Sequence, residues 1–179
     1  MKERKTGNFS EQATFAGGCF WCVQGPFDAE AGVHNVEVGY AGGTQEEAYY
    51  EIVCSGKTQH RETIHMQFDP VQISYRTMLE IFFRQIDPTD PDGQFADQGF
   101  QYTTAVYYHT PEQRTIAEQY IRELDASKKY SKPIATQVVP FTTFFPAEEE
   151  HQSYYKKNPL RYQMYKKGSG RSAFIKRYS

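Results

Sequence analysis

The chain has little that is extreme. Only three of its 179 residues are cysteine, too few for the disulfide framework that staples small secreted domains. Three thiols point instead to redox chemistry, metal binding or plain burial. No long apolar run interrupts the sequence, and the opening MKERKTGNFSEQ is polar, so neither a secretory leader nor a membrane span is expected and the cytoplasm is the natural setting. Charge of one sign is also missing. With 20 basic and 22 acidic side chains the formal net charge is −2, which leaves no electrostatic footprint for nucleic acid or anionic lipid, and neither is an expected partner. Low-complexity tracts, repeats and Pro/Gly/Ser linkers are absent, so a single domain is expected. What the chain has in quantity is rings: 14 Tyr and 13 Phe imply a core built from aromatics as much as aliphatics, which argues against disorder.

The patterning predicts a mixed α/β order. A strand through Ala13 to Ala16 ends at Gly17-Gly18, and CFWCVQGPF opens a helix that Gly25-Pro26 makes short or bent. Val33, Val36, Val38 and Tyr40 mark a second strand, and Ile64, Met66 and Phe68 alternate with polar residues in a third. Ser74 is placed to cap a helix carrying Met78, Leu79, Phe82, Phe83 and Ile86, stopped by Asp87-Pro88. A fourth strand lies near Thr103 to Tyr108. Thr110-Pro111-Glu112-Gln113 then reads as a capping box with proline at the first helical position, followed by the stripe Ile116, Ala117, Tyr120, Ile121 and Leu124. Val138-Val139 is a last strand, and Pro146 to Lys157, acidic early and lysine-rich late, reads as a helix. From His151 onward there are eight Lys or Arg and no acid. The expected layout is a flexible N-terminus over 1–12, a folded body over 13–157, and a basic tail over 158–179 that wraps it.

The chemistry concentrates in GGCFWC, residues 17–22. On a helix Cys19 and Cys22 share a face at i, i+3, with Cβ atoms about 5 to 6 Å apart. A disulfide wants about 3.5 to 4.5 Å, so the first turn must unwind locally, which the preceding glycines permit. A cysteine at a helix N-terminus has its thiolate favoured by unpaired N–H groups, which would make Cys19 the nucleophile and Cys22 its resolver. The same C-x-x-C spacing serves zinc sites and buried inert thiols. Cys54, His60 and His65 are the remaining zinc ligand candidates, without a second paired motif. A zinc-binding or redox-responsive interaction module using Cys19 and Cys22, and a general dithiol oxidoreductase, therefore stand beside an enzyme at this point. Bulky Phe20 and Trp21 between the thiols suggest the wall of an apolar pocket.

Beyond that hexapeptide, YEIVCSGKTQHRETIHMQFDP places a tyrosine before a Val-Cys-Ser-Gly run and a glutamate two positions after a histidine. ADQGFQYTTAVY carries an Asp-x-Gly-x-Gln-Tyr stretch, and FFPAEEEHQSYYKKNP an Ala-Glu-x-x-His-Gln-x-Tyr segment. Together with the Gly-Cys-Phe-Trp element, and in this order along nearly the whole chain, these motifs resemble the A-type peptide methionine sulfoxide reductases. The resemblance implies a two-layer α/β sandwich around a mixed sheet with an extended C-terminal tail. It implies Cys19 as the attacking thiolate, Phe20 and Trp21 as the cage for the substrate methyl group, Glu62 as the acid, and Tyr50, Asp97 and Tyr102 on the oxygen-binding side. The chemistry asks for such a set, because a sulfoxide oxygen leaves only when protonated, and a carboxyl does this best if burial keeps it protonated near neutral pH.

The resemblance also implies preference for the S epimer, protein-bound or free, with no metal and no organic cofactor. After methionine leaves, a Cys19 sulfenic acid needs a second thiol. Many relatives carry that thiol near the C-terminus, whereas no cysteine follows Cys54 here. The chain thus matches the Cys-Phe-Trp-Cys variants, which implies a Cys19–Cys22 disulfide reduced by thioredoxin or an equivalent dithiol, in an enzyme expected to be a monomer. Cys54 is expected to be a buried strand-end thiol. Two departures bear on the site: Ile86 stands where the family usually has histidine before Asp-Pro, and Phe95 where it often has glycine, in the loop holding Asp97.

Overall fold

The computed structural model describes residues 11–179. The expectation of a flexible N-terminus over 1–12 lies outside these residues except at Glu11 and Gln12, which already pair in the first strand. In chain order the elements are β1 (Glu11–Gly17), α1 (Phe20–Asp28), β2 (Val33–Ala41), α2 (Tyr50–Cys54), β3 (Arg61–Phe68) and α3 (Tyr75–Arg84). A small ribbon of β4 (Gly93–Gln94) and β5 (Asp97–Gln98) follows, then β6 (Thr104–Tyr108), α4 (Pro111–Ala126), β7 (Gln137–Pro140) and β8 (Phe144–Pro146). Three helices close the chain: α5 (Tyr154–Lys157), α6 (Pro159–Gly168) and α7 (Arg171–Tyr178).

Six strands form one mixed sheet in the order β7-β6-β1-β3-β2-β8, antiparallel throughout except for the parallel β6–β7 pair. Strand alternation sorts the two faces. Ala13 and Phe15 of β1 point to the helical layer, where the Phe15 ring stacks 4.8 Å from Phe82 of α3 and 5.7 Å from Phe27 of α1. Met78, Leu79, Phe82 and Phe83 of α3 are buried beside them, and each such side chain contributes about 1.5–3 kcal/mol by leaving water. Thr14 faces the other way. Its Oγ1 lies 2.7 Å from His65 Nδ1 and 2.8 Å from His109 Nε2, under Phe141 and Phe144. Burial holds the His109 imidazole down to about 4, so the ring stays uncharged at neutral pH. The architecture is the expected α/β sandwich.

Local signals set the helix starts. Ser74 Oγ accepts from the Thr77 N–H, and Thr110 Oγ1 accepts from the Gln113 N–H with Pro111 in the first helical position. The Gln113 carboxamide bonds one residue beyond the box, taking the His109 N–H and donating to Gln12 O.

Two expectations give way. Residues 146–157 are not one helix: Pro146 ends β8, Glu149–His151 form a 3₁₀ turn, Ser153 adopts a left-handed φ of 52°, and only Tyr154–Lys157 are α-helical. The reason is Gln152, whose amide brackets the β2 backbone, accepting from Val38 N and donating to Val38 O and Ala147 O. Long-range hydrogen bonds thus override helical propensity. Residues 158–179 form the helices α6 and α7 rather than an extended segment. Tyr162 and Arg171 among them are buried.

Candidate active site

The turn from β1 into α1 favours glycine. A Cβ on Gly17 would meet Phe82, Ile86 and Val23 at 3.0–3.1 Å, and Gly18, at φ 77°, would drive one to 2.6 Å from Gln94 and 2.9 Å from Arg171. This tight passage delivers Cys19 to the N-cap position of α1 with no side-chain cap bond of its own. The first helical N–H, that of Phe20, donates instead to Glu62 Oε1 at 3.3 Å. Glu62 reaches this point from β3, where it pairs with Tyr40 of β2 and is 2% exposed.

Burial dominates Glu62. It raises the carboxyl from its ordinary 4.5 to about 8, with Asp97 and Cys22 adding to the rise and the Phe20 N–H and Arg171 opposing it. Glu62 is therefore largely protonated at neutral pH, as expected from the chemistry. Cys19 and Cys22 are both buried free thiols within mutual hydrogen-bonding reach. Cys19 occupies the helix end, but burial pushes its thiol up, helped by the bond it shares with Cys22 and by Glu62. Burial thus acts against the helix terminus at Cys19. Cys22 is lowered, first by the hydrogen bond from Cys19 and then, against burial, by Arg171 and Lys166.

Around these groups the structure gathers the other expected residues. Phe20 is buried, its ring 5.9 Å from Tyr40 and 5.6 Å from His151. Trp21 is half-buried, stacked 4.0 Å from Tyr154 and 6.4 Å from Tyr50, with Tyr165 edge-on at 6.0 Å. Tyr50 opens α2, its N–H donating to Glu148 Oε2 at 3.2 Å. Tyr102 follows β5, its hydroxyl 3.8 Å from the Cys54 sulfur. Burial raises the Tyr50 and Tyr102 hydroxyls well above the ordinary phenol range, keeping both neutral. Asp97, in β5, accepts from the Tyr165 hydroxyl, and burial pushes its carboxyl up while Arg171 pulls it down.

The departures find a physical account. Ile86 is fully buried beneath Gly17, an apolar core role. Phe95 adopts a left-handed φ of 54°, and its ring lies 4.8 Å under the Arg171 guanidinium and 5.4 Å from Phe174. Contacts from α7 hold a conformation that glycine would reach freely.

Cys54 is not a buried strand-end thiol. It closes the short helix α2, is half-buried, and has its sulfur within reach of both the Tyr50 and Tyr102 hydroxyls. Burial and Glu62 raise it. Sequence reasoning also gave no role to His151 or Arg171. His151 Nδ1 accepts from the Trp21 indole N–H at 3.1 Å, so its proton sits on Nε2, which faces Glu150 at 3.6 Å and Glu148 at 3.9 Å. The histidine of the Ala-Glu-x-x-His-Gln segment was the available signal for the first. A lone arginine in a basic tail offered none for the second.

Among the described residues, Glu148, Glu150 and His151 form the one acid–histidine–cysteine cluster with ligand atoms close enough for a metal ion, and it includes no cysteine. The Nε2 proton makes His151 a donor there. The zinc-module alternative built on Cys19 and Cys22 is not favoured.

Three comparisons agree. The sequence profile of the family "Peptide methionine sulfoxide reductase" matches residues 11–179. The chain is 50% identical over 165 residues to the peptide methionine sulfoxide reductase MsrA of Halalkalibacterium halodurans, covering 92% of this chain and 94% of that one. It is 49% identical to that of Bacillus licheniformis, covering 94% and 93%. Among solved structures, methionine sulfoxide reductase A of Corynebacterium diphtheriae superposes with a TM-score of 0.75 at 30% identity, covering 87% of this chain and 78% of that one. Reduced Mxr1 of Saccharomyces cerevisiae gives 0.73 at 30%, covering 84% and 86%, and Mxr1 has also been solved in complex with Trx2, at 21% identity and a TM-score of 0.51 over 84% and 91%. The family profile spans every described residue and the relatives are half-identical along nine-tenths of the chain: it belongs to the peptide methionine sulfoxide reductase family.

Proposed function

We propose that the chain reduces methionine S-sulfoxide, protein-bound or free, to methionine by thiol chemistry at Cys19. The observation that carries this reading is the meeting of a buried, largely protonated carboxyl with the first N–H after Cys19. Phe20 and Trp21 receive the substrate methyl group, and Tyr50, Tyr102 and Asp97 lie on the side of its oxygen. Glu62 gives its proton to the sulfoxide oxygen as the Cys19 sulfur bonds to the sulfoxide sulfur, and the thiol proton of Cys19 restores the Glu62 carboxyl. The hydroxyl then passes from the substrate sulfur to the Cys19 sulfur as the bond between the two sulfurs breaks, so that methionine leaves and Cys19 is a sulfenic acid. The two tyrosine hydroxyls, neutral donors by burial, polarise the oxygen without competing for the proton.

The Cys22 thiol attacks the Cys19 sulfur and water leaves, giving a Cys19–Cys22 disulfide. An outside dithiol restores both thiols, and the yeast Mxr1–Trx2 complex supports thioredoxin in that role. The sequence calls for no metal or organic cofactor in this cycle. The enzyme is read as a monomer, with neither nucleic acid nor a membrane as partner because the formal net charge is only −2. Among the described residues no helix is long and apolar enough to cross a membrane, and three free thiols suit the reducing cytoplasm.

The test is methionine release by the reduced protein from each sulfoxide epimer, with Cys19→Ser as control. Release from the S epimer alone, abolished in the variant, is expected. Release from neither epimer, or undiminished release by Cys19→Ser, would overturn the reading.

A further inference from the structure

Arg61 and Glu62 are consecutive on β3 and so face opposite sides of the sheet. Glu62 meets the Phe20 N–H on the helical side. Arg61 stands on the other, where its side chain is buried and always charged. Its guanidinium donates along three directions: Nε to Thr103 Oγ1 at 2.8 Å, Nη1 to the Tyr107 hydroxyl of β6 at 3.2 Å, and Nη2 to Gln137 Oε1 of β7 at 2.7 Å. Tyr107 in turn donates to Ala41 O of β2 at 3.3 Å. Strands β6, β7 and β2 thus fix the orientation of the fork, and its plane lies 4.5 Å over the Phe100 ring.

Phe100 and Thr103 belong to the tight turn over 99–103 that carries Tyr102. The Tyr102 N–H donates to Gly99 O and the Thr103 N–H to Phe100 O, each at 3.0 Å, and the Thr103 hydroxyl that accepts from Arg61 donates to the same Phe100 carbonyl at 2.7 Å. The guanidinium therefore grips the turn on both sides of Tyr102, by a charge-assisted bond one residue after it and a cation–π contact two residues before it. Beyond the sheet, the Tyr102 hydroxyl has a single hydrogen-bond partner among the described residues, the Cys54 sulfur at 3.8 Å. A thiol is too weak a donor or acceptor to place a phenol, so the backbone that carries Tyr102 sets where its hydroxyl lies. A further side-chain tie of that turn, Gln101 Nε2 to Cys54 O, is neutral and longer, at 3.3 Å.

We propose that Arg61 is a positioning residue for the reaction: from the sheet face opposite Glu62 it clamps the 99–103 turn and so aims the Tyr102 hydroxyl at the place of the sulfoxide oxygen. The proposal rests on the reading of Tyr102 as a donor on the oxygen side. Such a donor counts in the transition state only if it is aimed beforehand, and a misplacement of about 1 Å forfeits much of its effect. Arg61 acts through this hydroxyl alone, since its own side chain points away from the thiols. Lysine would bring a point charge in place of the flat fork and could not hold Thr103 and cover Phe100 in the same geometry.

The test is single-turnover methionine release from the S epimer over a range of sulfoxide concentrations, in the parent, Arg61→Met, Arg61→Lys, Tyr102→Phe and the Arg61→Met/Tyr102→Phe double variant. Hydrogen exchange read by mass spectrometry on the same proteins follows the turn. Tyr102→Phe should lower the limiting rate about tenfold or more, and Arg61→Met by most of that factor, with little change in the half-saturating concentration. The double variant should stay within about twofold of Tyr102→Phe, because the group through which Arg61 acts is already gone. Arg61→Lys should fall between the parent and Arg61→Met. In Arg61→Met the Tyr102 and Thr103 amides should exchange about tenfold faster while those of β1 and β3 keep the parent rate. The fall in rate above about pH 8 should stay where it is, since Glu62 faces the other side. A folded Arg61→Met variant with parent rate and parent exchange, a shifted pH profile, or losses that multiply in the double variant overturns the proposal. Should Arg61→Met not fold, Thr103→Val deletes the acceptor of Nε and leaves Arg61 its bonds to Tyr107 and Gln137; slowed turnover that vanishes in the Tyr102→Phe background is expected, and a parent rate overturns the proposal. If the turn loosens in Arg61→Met but Tyr102→Phe turns over like the parent, the clamp stands and the oxygen-side role of Tyr102 is what fails.

Discussion

Glu62→Gln should make the protein more stable and nearly inactive at once, and the size of both effects follows from one buried carboxyl. In the native state Glu62 titrates near 8, against 4.5 when unconstrained. The native state therefore binds a proton more tightly than the unfolded chain, so stability is full below about pH 4.5 and is lost as pH rises towards 8. At pH 7 the 2.5 units above 4.5 correspond to about 3 kcal/mol. Glutamine cannot ionise, keeps an oxygen for the Phe20 N–H, and escapes that loss. Urea denaturation of parent and variant from pH 4.5 to 8 should give curves that nearly coincide at the acid end and separate to about 3 kcal/mol at pH 7, the variant being the more stable. In single-turnover assays the variant should release methionine about 10²- to 10⁴-fold more slowly, the range for a lost general acid. The parent rate should fall above about pH 8, where Glu62 loses its proton. Parallel stability curves, or a first step slowed less than tenfold, would refute the reasoning.

Three further outcomes follow from the same geometry. Cys54→Ala removes a thiol that touches the tyrosine hydroxyls but is not the resolver, so one equivalent of methionine should still appear with the Cys19–Cys22 bond intact and the rate changed less than about tenfold, a loss of one hydrogen bond; mass mapping checks it. His151→Phe keeps the ring contacts but deletes the acceptor for the Trp21 N–H, so KM for the sulfoxide should rise several-fold, about 1 kcal/mol, with a smaller change in kcat. Phe82→Ala, in the centre of the layer over Phe15, should cost about 3–5 kcal/mol in urea denaturation without altering the pH dependence of turnover.

The parts of the fold that sequence made legible are those with local causes. Ser74 and Thr110 bond to the N–H three residues on, and the alternation of Ile64, Met66 and Phe68 follows directly from strand geometry. Cys19, Glu62, Tyr50, Asp97 and Tyr102 were readable because they lie in short motifs, and the structure gathers them from the start of α1, β3, α2, β5 and the turn that follows β5. What escaped depends on partners far along the chain. Gln152 unmakes a plausible helix by bonding to Val38, 114 positions away, and Arg171 reaches Gly17 across 154. Nothing near either residue announces the contact. Cys54 sits in a five-residue helix, too short for a hydrophobic period to reveal. The burial of Cys19 escaped for another reason: a helix N-terminus is visible in sequence, whereas the burial that raises this thiol comes from Tyr162, Trp21 and the tail packing over the pair.

The central claim is tested most directly by mass spectrometry of the reduced protein after a single turnover with each methionine sulfoxide epimer, mapping every thiol and disulfide. Methionine from the S epimer with a Cys19–Cys22 bond, and Cys54 left as a free thiol, is the result this account predicts. A bond from Cys19 to Cys54, or no methionine from either epimer, would contradict it.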